Sequence, residues 1–339
     1  MMSNSPLVSA IVSTHNAEQF IRGRLENLLQ QSIASTIEII VIVSGSEQHE
    51  AAIVQQYALQ NKNVSLIVTQ KRETIFAAWN RGIKMSKGEF ITNANADDRL
   101  VPNALEILTN ALRDDPQSFV AYANQELTSD PSVALARSHR LGKVVRPTYS
   151  PLRLLAGDIV GPQPLWRASL HWEENIWFNE SYEVSGDYDF FCHVSENHQL
   201  LHIPRILGLC YHSPHKANRE FQDVELTAAE TAQIQLKYTE RFISSMHSSE
   251  RIRLKRRLRR YLFMPTLLHT AVFRISKYLI PTRHLLPRGF VCVLAALLYQ
   301  FEGDLGRAVE ICQRASQLAR ATTARMLLGQ LLRRDRVVA

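Results

Sequence analysis

The sequence is poor in cysteine and has no apolar stretch long enough to span a membrane. Its four cysteines, Cys192, Cys210, Cys292 and Cys312, are widely spaced and form no Cys-x-x-Cys pair. This excludes a disulfide framework or a cysteine zinc site and favours a reducing cytoplasm. The longest apolar run, Phe290–Tyr299, has ten residues, too few to cross a bilayer as a helix. We therefore interpret that run as part of a core.

Disorder and a secretory leader are also not indicated. The chain has 339 residues, of which 45% are hydrophobic, enough for one large α/β domain and a smaller appendage. Residues 1–6 are short and polar and lead directly into an apolar strand, so we predict no signal peptide. The formal charge is +7, and many of the basic residues lie beyond residue 250. We expect a cytoplasmic protein.

Short β-rich runs alternate with helical patterns in the first third of the chain. Strands are predicted at Val8–Thr14, Ile37–Val43, Val64–Val68, Glu89–Thr92 and Phe119–Tyr122. Helices are predicted at Phe20–Gln31, at about Thr74–Met85 and from Pro102 onward. Such alternation is typical of βαβ units, and it predicts a doubly wound, mostly parallel sheet.

Regular patterns become sparse over residues 125–165, where five prolines predict loops and short strands lining a cleft. A helix is predicted at Gly186–Glu196 and a strand at Leu200–Tyr211. Beyond about residue 225 the sequence favours helices only. We therefore predict a catalytic α/β domain over residues 1–225 and a basic helical region over residues 226–339.

Polar residues follow the predicted strands, where open α/β sheets bind their ligands. The first strand is followed by Thr14-His15-Asn16, the second by Ser44-Gly45-Ser46 and the fourth by Asn95-Ala96-Asp97-Asp98. Adjacent carboxylates at such a position suit a hard divalent cation. The alternative is that the two acids only cap the next helix.

A second acidic cluster, Ser185-Gly186-Asp187-Tyr188-Asp189, opens the later helix. Residues two apart on a helix do not share a face, so we expect Asp187 and Asp189 to have different roles. Acids in a first helical turn are also common because they complement the helix dipole.

Together these stretches resemble the family 2 glycosyltransferases, whose nucleotide-binding fold is called GT-A. The matching sequences, in order, are VSAIVSTHNAEQFI, EIIVIVSGS, AAWNRGIKMSKGEFITNANADDRLVPNALEIL, GPQPLWR and SGDYDFFCHVS. They span most of residues 8–215. The resemblance implies an inverting enzyme that moves a sugar from a nucleotide-sugar donor to a hydroxyl of a glycan, a lipid-linked sugar or a protein.

The resemblance also implies roles for individual residues. Thr14, Asn16 and Ser44 are expected beside the nucleotide and Asn80 near the diphosphate. Asn95-Ala96-Asp97 matches the Asp-x-Asp metal motif, with Asp97 as the ligand for Mg²⁺ or Mn²⁺. Asp187 matches the catalytic base. His212 lies roughly where a histidine reaches the metal, with His215 as its competitor.

Two departures from the family pattern leave an alternative open. Val43 followed by Ser44 replaces the usual aspartate after the second strand, and Asn95 replaces the first aspartate of the metal motif. The alternative is a catalytically degenerate protein that binds a nucleotide or a partner. Trp166, Trp172 and Trp177 suit a sugar-binding surface because aromatic faces stack on sugar rings, although core packing also explains them.

The last third carries a basic amphipathic pattern. Residues 251–260 read RIRLKRRLRR, with Leu254, Leu258 and Leu262 four apart. This pattern is compatible with peripheral contact with an anionic membrane at the inner face of the plasma membrane, and equally with a solvated basic face on a helical appendage. No nucleic-acid motif accompanies it. Ala295–Leu318 resembles one tetratricopeptide repeat, which suggests a docked helical hairpin or a homo-oligomer contact.

Overall fold

The computed structural model describes residues 5–136, 138–212, 223–262, 288–316 and 322–338. The chain forms two compact units. The first unit contains Met1–Tyr149 and Ile159–Gln222, and the second contains Ser150–Asp158 and Asp223–Ala339. The assignment of a catalytic domain to residues 1–225 stays a prediction.

The first unit is built on one mixed sheet. The described residues form nine strands: β1 Val8–Thr14, β2 Ile37–Ser44, β3 Val64–Thr69, β4 Phe90–Asn93, β5 Arg99–Leu100, β6 Ser118–Thr128, β7 Gly142–Val144, β8 Leu165–Arg167 and β9 Gln199–Tyr211. Their order is β3-β2-β1-β4-β8-β6-β9-β5, with β7 paired to β6. Strands β1 to β4 pair in parallel, which confirms the predicted α/β class.

Six helices in the described part of the first unit accompany this sheet. They are α1 Glu18–Leu29, α2 Glu50–Gln60, α3 Ile75–Ile83, α4 Ala104–Asp114, α6 Ser169–Trp172 and α7 Gly186–Val194. Helix α3 begins where the hydroxyl of Thr74 accepts a hydrogen bond from the N–H of Ala77 at 3.2 Å. Strands β1 and β2 are almost entirely buried, as expected for strands covered on both faces.

The structure extends the predicted elements at two places. Helix α2 was not predicted, because it buries only Glu50 and Val54 and so lacks a clear apolar stripe. Strand β6 continues past Tyr122 to Thr128. Its additional residues include the buried polar side chains of Asn124 and Gln125, which hide the strand in the sequence.

The second unit is helical, as predicted for the end of the chain. Its helices are α5 Pro151–Leu155, α8 Val224–Ser245, α9 Ser248–Leu262, α10 Arg288–Phe301, α11 Leu305–Ser316 and α12 Thr322–Val338. The residues of the run 290–299 are buried in α10. Helices α10 and α11 form a hairpin whose turn contains Gly303, at a φ of +83°. No helix among the described residues is both long and apolar enough to cross a membrane.

Candidate active site

The parallel strands end at one edge of the sheet, beside a cavity of about 440 Å³. β1 lies between β2 and β4, so the segments that follow these strands are neighbours. The cavity is lined by Ser13, Thr14, His15, Ser44, Arg72, Glu73, Thr74, Ile75, Ala78 and Glu183. Two of the predicted donor contacts, Thr14 and Ser44, therefore lie in one cavity.

Glu50, the first residue of α2, connects the loop after β1 with the loop after β2. Its carboxylate is fully buried and accepts hydrogen bonds from the N–H of Ala17 at 2.8 Å and the hydroxyl of Ser46 at 2.6 Å. Burial raises the pKa of Glu50, but the hydrogen bonds from Ser46, Ala17 and Thr14 outweigh this effect and lower the pKa below its ordinary value. An ionised Glu50 thus fixes both loops beside the cavity.

Asn16 shapes the same loops through its backbone and its side chain. Its φ of 50° lies in the left-handed region, which asparagine tolerates better than most residues. Its Oδ1 accepts a hydrogen bond from the N–H of Glu47 at 3.0 Å and lies 3.1 Å from the hydroxyl oxygen of Ser46. The carbonyl oxygen of the predicted nucleotide contact is therefore already engaged within the protein.

The end of β2 packs closely on the segment that precedes α3. Val43 is buried in the core, whereas the hydroxyl of Ser44 accepts a hydrogen bond from the N–H of Glu73 at 2.7 Å. Gly45 has a φ of +54°, and a Cβ there would lie 2.3 Å from the backbone nitrogen of Arg72. Both the left-handed conformation and the close approach require glycine. Ser44 and Gly45 thus position a cavity wall that includes Arg72.

Asn95 and Asp97 follow β4 directly. Asn95 Oδ1 is buried and accepts no hydrogen bond from the residues that the structure describes, whereas its Nδ2 donates to Asp98 Oδ2 at 3.4 Å. Asp97 is half-buried. Burial raises the pKa of Asp97, against the opposing charges of Arg24 and Arg99. The pair offers an amide oxygen and a carboxylate, the ligand types that Mg²⁺ prefers.

Asp98 connects this loop to the end of β9. It is buried, and its Oδ1 accepts a hydrogen bond from the N–H of Tyr211 at 3.2 Å. Burial, and after it the charge of Asp97, raises the pKa of Asp98 to about 7. Asp98 therefore holds the loop after β4 to the end of β9.

His212 follows Tyr211 and is exposed, and its backbone N–H donates to the carbonyl of Thr128 at 2.7 Å. Tyr211, the residue before His212, thus contacts the loop of the predicted metal motif through Asp98. His215, the competing candidate, lies outside the described residues. No cluster of three His, Cys, Asp or Glu side chains that could hold a metal occurs in the described part of the chain. Metal ligation by Asp97 and His212 stays a prediction.

A fully buried cation, Arg24, lies beneath the acidic loop. Its Nη2 donates to Gln163 Oε1 at 3.0 Å, and Gln163 Nε2 donates to the carbonyl of Arg99 at 3.2 Å. Burial, and after it the charge of Arg99, lowers the pKa of Arg24 to about 9, and the charges of Asp98 and Asp97 oppose this shift. Two arginines and two aspartates therefore balance one another at this edge of the sheet.

Asp187, the predicted base, lies in the first turn of α7. It is half-buried, whereas Asp189 is buried, so the two acids differ in environment. Asp187 Oδ1 accepts a hydrogen bond from the N–H of Tyr188 at 2.8 Å. A Cβ on Gly186 would lie 2.7 Å from the ring of Phe76, so the start of α7 packs directly on α3. The base candidate is thereby fixed to a helix that contributes to the cavity.

Asn80, predicted near the diphosphate, is held by hydrogen bonds within the protein, and its contact with a diphosphate stays a prediction. It is buried, and its Nδ2 donates to the carbonyl of Phe178 at 2.8 Å and to Glu180 Oε1 at 2.9 Å. Its Oδ1 accepts from the N–H of Phe178 at 3.2 Å. Both ends of the amide are therefore used to hold the loop before α7 on α3.

Trp166 is likewise a core residue. Its side chain is fully buried, and its Nε1–H donates to Nε2 of His171 at 2.8 Å. The expectation that it lines the sugar side is corrected, because a ring without exposed surface has no face to offer a sugar. Trp172 is 51% exposed, and its ring centroid lies 5.4 Å from that of Trp177.

Several site residues were not found from the sequence. Arg24 had a visible signal, because it is a charged residue within the apolar spacing of α1. His15 stands in the polar stretch after β1, and its Nδ1 lies 2.9 Å from the carbonyl oxygen of Ser44. Arg72 and Glu183 line the cavity and carried no local signal, since they reach it only through the fold.

This architecture is the GT-A fold of glycosyltransferases. Over 96% of this chain and 92% of the other, it matches the crystal structure of S. aureus TarS 1–349 in complex with UDP-GlcNAc, with a TM-score of 0.60 and 16% sequence identity. The mannosyltransferase PcManGT from Pyrobaculum calidifontis, in complex with GDP-Man and Mn²⁺, matches over 97% of this chain and 80% of the other, with a TM-score of 0.50 and 15% identity. At these identities the likeness shows the fold alone.

Residues 9–152 match the family described as glycosyl transferase family 2. Chondroitin synthase from Escherichia coli is 26% identical over 206 residues, which are 61% of this chain. The matched region spans 28% of that synthase. The match over residues 9–152 and the GT-A fold both support the resemblance seen in the sequence.

Proposed function

We propose that this chain transfers a sugar, with inversion, from a nucleotide-sugar donor to a hydroxyl of a glycan, a lipid-linked sugar or a protein. The observation that carries this proposal is the cavity at the carboxyl ends of β1 and β2, lined by Thr14 and Ser44. Ligands of open α/β sheets bind at this edge. The solved GT-A neighbours named above contain UDP-GlcNAc or GDP-Man, which supports a donor of this class.

Donor binding is expected to use the cavity wall that Ser44 and Gly45 position. Arg72 is exposed and lines the cavity, so its guanidinium is available to an anionic or polar donor group. Family members usually have an aspartate where this chain has Val43 and Ser44. We therefore expect recognition of the base and ribose to use Ser44 and other residues that line the cavity, such as Glu183.

The residues after β4 fit a divalent cation, Mg²⁺ or Mn²⁺. Asn95 Oδ1 is a buried acceptor without a hydrogen-bond donor among the described residues, and Asp97 supplies a carboxylate. Mg²⁺ is typically held by one or two protein carboxylates together with substrate phosphates, so a sparse protein site is sufficient. A bound cation would neutralise charge that develops on the diphosphate leaving group. His212 is the third candidate ligand.

Asp187 is proposed as the general base that removes the proton from the acceptor hydroxyl. A hydroxyl is a weak nucleophile until a carboxylate within hydrogen-bond reach accepts its proton. The half-buried Asp187 keeps surface for this contact, whereas Asp189 is buried. A single displacement at the anomeric carbon then inverts its configuration.

A panel of UDP-, GDP-, dTDP- and CMP-sugars tests this proposal. Thermal shift with and without Mn²⁺ identifies the donor, and release of nucleoside diphosphate with a panel of acceptors measures turnover. A donor that binds and is turned over supports the enzyme. Binding without turnover across the panel supports the degenerate alternative suggested by Val43 and Asn95. No binding of any donor contradicts both.

A further inference from the structure

The basic charge of the chain is concentrated in one stretch of sequence. Residues 251–301 contain eleven Lys and Arg and no Asp or Glu. The whole chain has 39 basic and 32 acidic residues, which leaves 28 basic and 32 acidic residues outside this stretch. The net charge of +7 is therefore a property of one region, and the rest of the chain is slightly acidic. Such an asymmetry indicates an anionic partner for that region.

Helix α9, the first described part of this stretch, buries one face in the second unit. Leu254 and Leu258 are 9% and 3% exposed, and their spacing of four places them on the same side of the helix. Two cations on this side serve the fold. Arg251 lies over the ring of Phe301, 4.5 Å from its centroid. Lys255 lies 3.8 Å from the centroid of Tyr299 and also pairs with Glu302.

The opposite face of α9 carries cations that the fold does not use. Arg253, Arg256 and Arg257 are exposed, and none of them forms an ion pair or hydrogen bond with the residues that the structure describes. Their spacing of three and four places them together on one face. Ile252, 47% exposed, lies at the same face. We call these four residues the α9 patch.

We propose that the α9 patch binds the surface of a membrane that contains anionic lipids. Exposed arginines attract the negative charge of the lipid headgroups. Ile252 would enter the boundary between the headgroups and the acyl chains, as apolar residues of interfacial helices do. A soluble polyanion, such as an acidic glycan or RNA, would be attracted by the same arginines but would gain little from an isoleucine. The presence of Ile252 among them favours the membrane.

Co-sedimentation of the full chain with vesicles tests this assignment. Binding to vesicles of phosphatidylcholine alone is compared with binding to vesicles that contain about 30% phosphatidylglycerol. Both are measured at low and at high salt concentration. The wild-type chain is expected to bind the anionic vesicles and to lose binding as the salt concentration rises. The triple variant R253S/R256S/R257S should bind about 100-fold more weakly, since each basic residue near the surface contributes about fivefold.

A matched control removes the same charge elsewhere. Lys62, Lys87 and Lys143 are exposed residues of the first unit, and the variant K62S/K87S/K143S should bind within about threefold of wild type. Equal losses in the two triple variants would show that only net charge matters and would overturn the assignment. Unchanged binding of R253S/R256S/R257S would overturn it as well.

The variant Ile252→Ser separates a membrane from a soluble polyanion. It keeps every charge, so binding to heparin or RNA should not change, whereas binding to anionic vesicles should fall severalfold. If vesicle binding is insensitive to Ile252→Ser while heparin binding depends on the three arginines, the partner is a soluble polyanion. Melting temperatures of all variants, expected close to wild type because the α9 patch is exposed, show that the fold is retained.

Discussion

Arg24 and Gln163 are 139 residues apart in the sequence, yet Nη2 of Arg24 donates to Oε1 of Gln163 at 3.0 Å with both side chains buried. Gln163 in turn donates to the carbonyl of Arg99. The first helix is thereby connected through a buried polar chain to the loop that contains Asp97 and Asp98. The charge of Arg24 therefore affects both the stability of the fold and the electrostatics of the loop that contains Asp97 and Asp98.

Arg24→Met should lower the free energy of unfolding by about 3 kcal/mol. The change removes one of the two arginines that offset the charges of Asp97 and Asp98, and the loss of one partner from a buried charge cluster is among the costlier single substitutions. Urea unfolding at pH 7.5 measures the loss. The control is Arg22→Met on the same helix, where the arginine is exposed and should contribute less than about 1 kcal/mol. Equal stability of the two variants would show that Arg24 carries no such role.

His171 should make the stability depend on pH. Its Nε2 accepts from Trp166 and its Nδ1 donates to the carbonyl of Ile176 at 2.7 Å, so the ring is neutral. Burial lowers the pKa of His171 from 6.5 to about 4. Between these values the unfolded chain binds a proton that the folded protein does not. The contribution of the neutral His171 to the free energy of unfolding is therefore fully present above pH 6.5. It falls by about 3 kcal/mol as the pH drops to 4.

The prediction is checked by measuring the free energies of unfolding of His171→Gln and wild type across this window. The pH values are about 4.5, 5.5, 6.5 and 7.5. As the pH is lowered, the free energy of unfolding of the variant should fall less than that of the wild type. His49→Gln, a change at an exposed histidine, should keep the wild-type dependence. If all three proteins show the same slope, His171 is not the group that titrates.

Asp187→Asn should separate donor binding from turnover. The change keeps the size of the side chain but removes its ability to accept a proton, so transfer should fall by about 10²- to 10⁴-fold while donor affinity holds. Asp189→Asn should affect transfer less and lower the melting temperature more, because Asp189 is buried. Transfer by Asp187→Asn at the wild-type rate would assign the base to another residue.

The metal motif can be tested in both directions. Asp97→Ala should abolish binding of Mn²⁺ together with a nucleoside diphosphate, whereas Asn95→Asp should tighten it by adding a charge near the cation. Calorimetry with Mn²⁺ and the nucleoside diphosphate of the identified donor measures both. Asp97→Ala with wild-type affinity would mean that residues 95–97 only shape the loop.

The strands and most helices of the first unit could be predicted because their signals are local. β1 was predicted with the bounds that the structure shows, since its sequence VSAIVST is rich in β-branched residues and is bounded by polar residues on its C-terminal side. The end of β6 could not be predicted from the sequence, because Asn124 and Gln125 are buried polar residues. Their partners come from distant parts of the chain: Gln125 donates to the carbonyl of Pro162 and accepts from Cys210.

The same distinction holds for the candidate site. Thr14 and Ser44 stand at strand ends, where sequence position alone predicts a ligand edge, and both line the cavity. The environment of Asn80 is set by residues 98 to 100 positions away, and Trp166 is buried by aromatic residues of α7 and the loop before it. Such contacts are decided by how elements pack, which a motif does not encode.

The short segment Ser150–Asp158 belongs to the second unit although the residues on both sides of it belong to the first. Its helix α5 packs on α8, and Gln235 donates to the carbonyl of Ala156 at 3.0 Å. During synthesis, α5 leaves the ribosome before α8 has been made. At usual elongation rates the wait is on the order of ten seconds. For that time Leu154 and Leu155, both buried in the finished protein, lack their partner helix, so this part of the first-made chain completes its packing only after α8 has been synthesised.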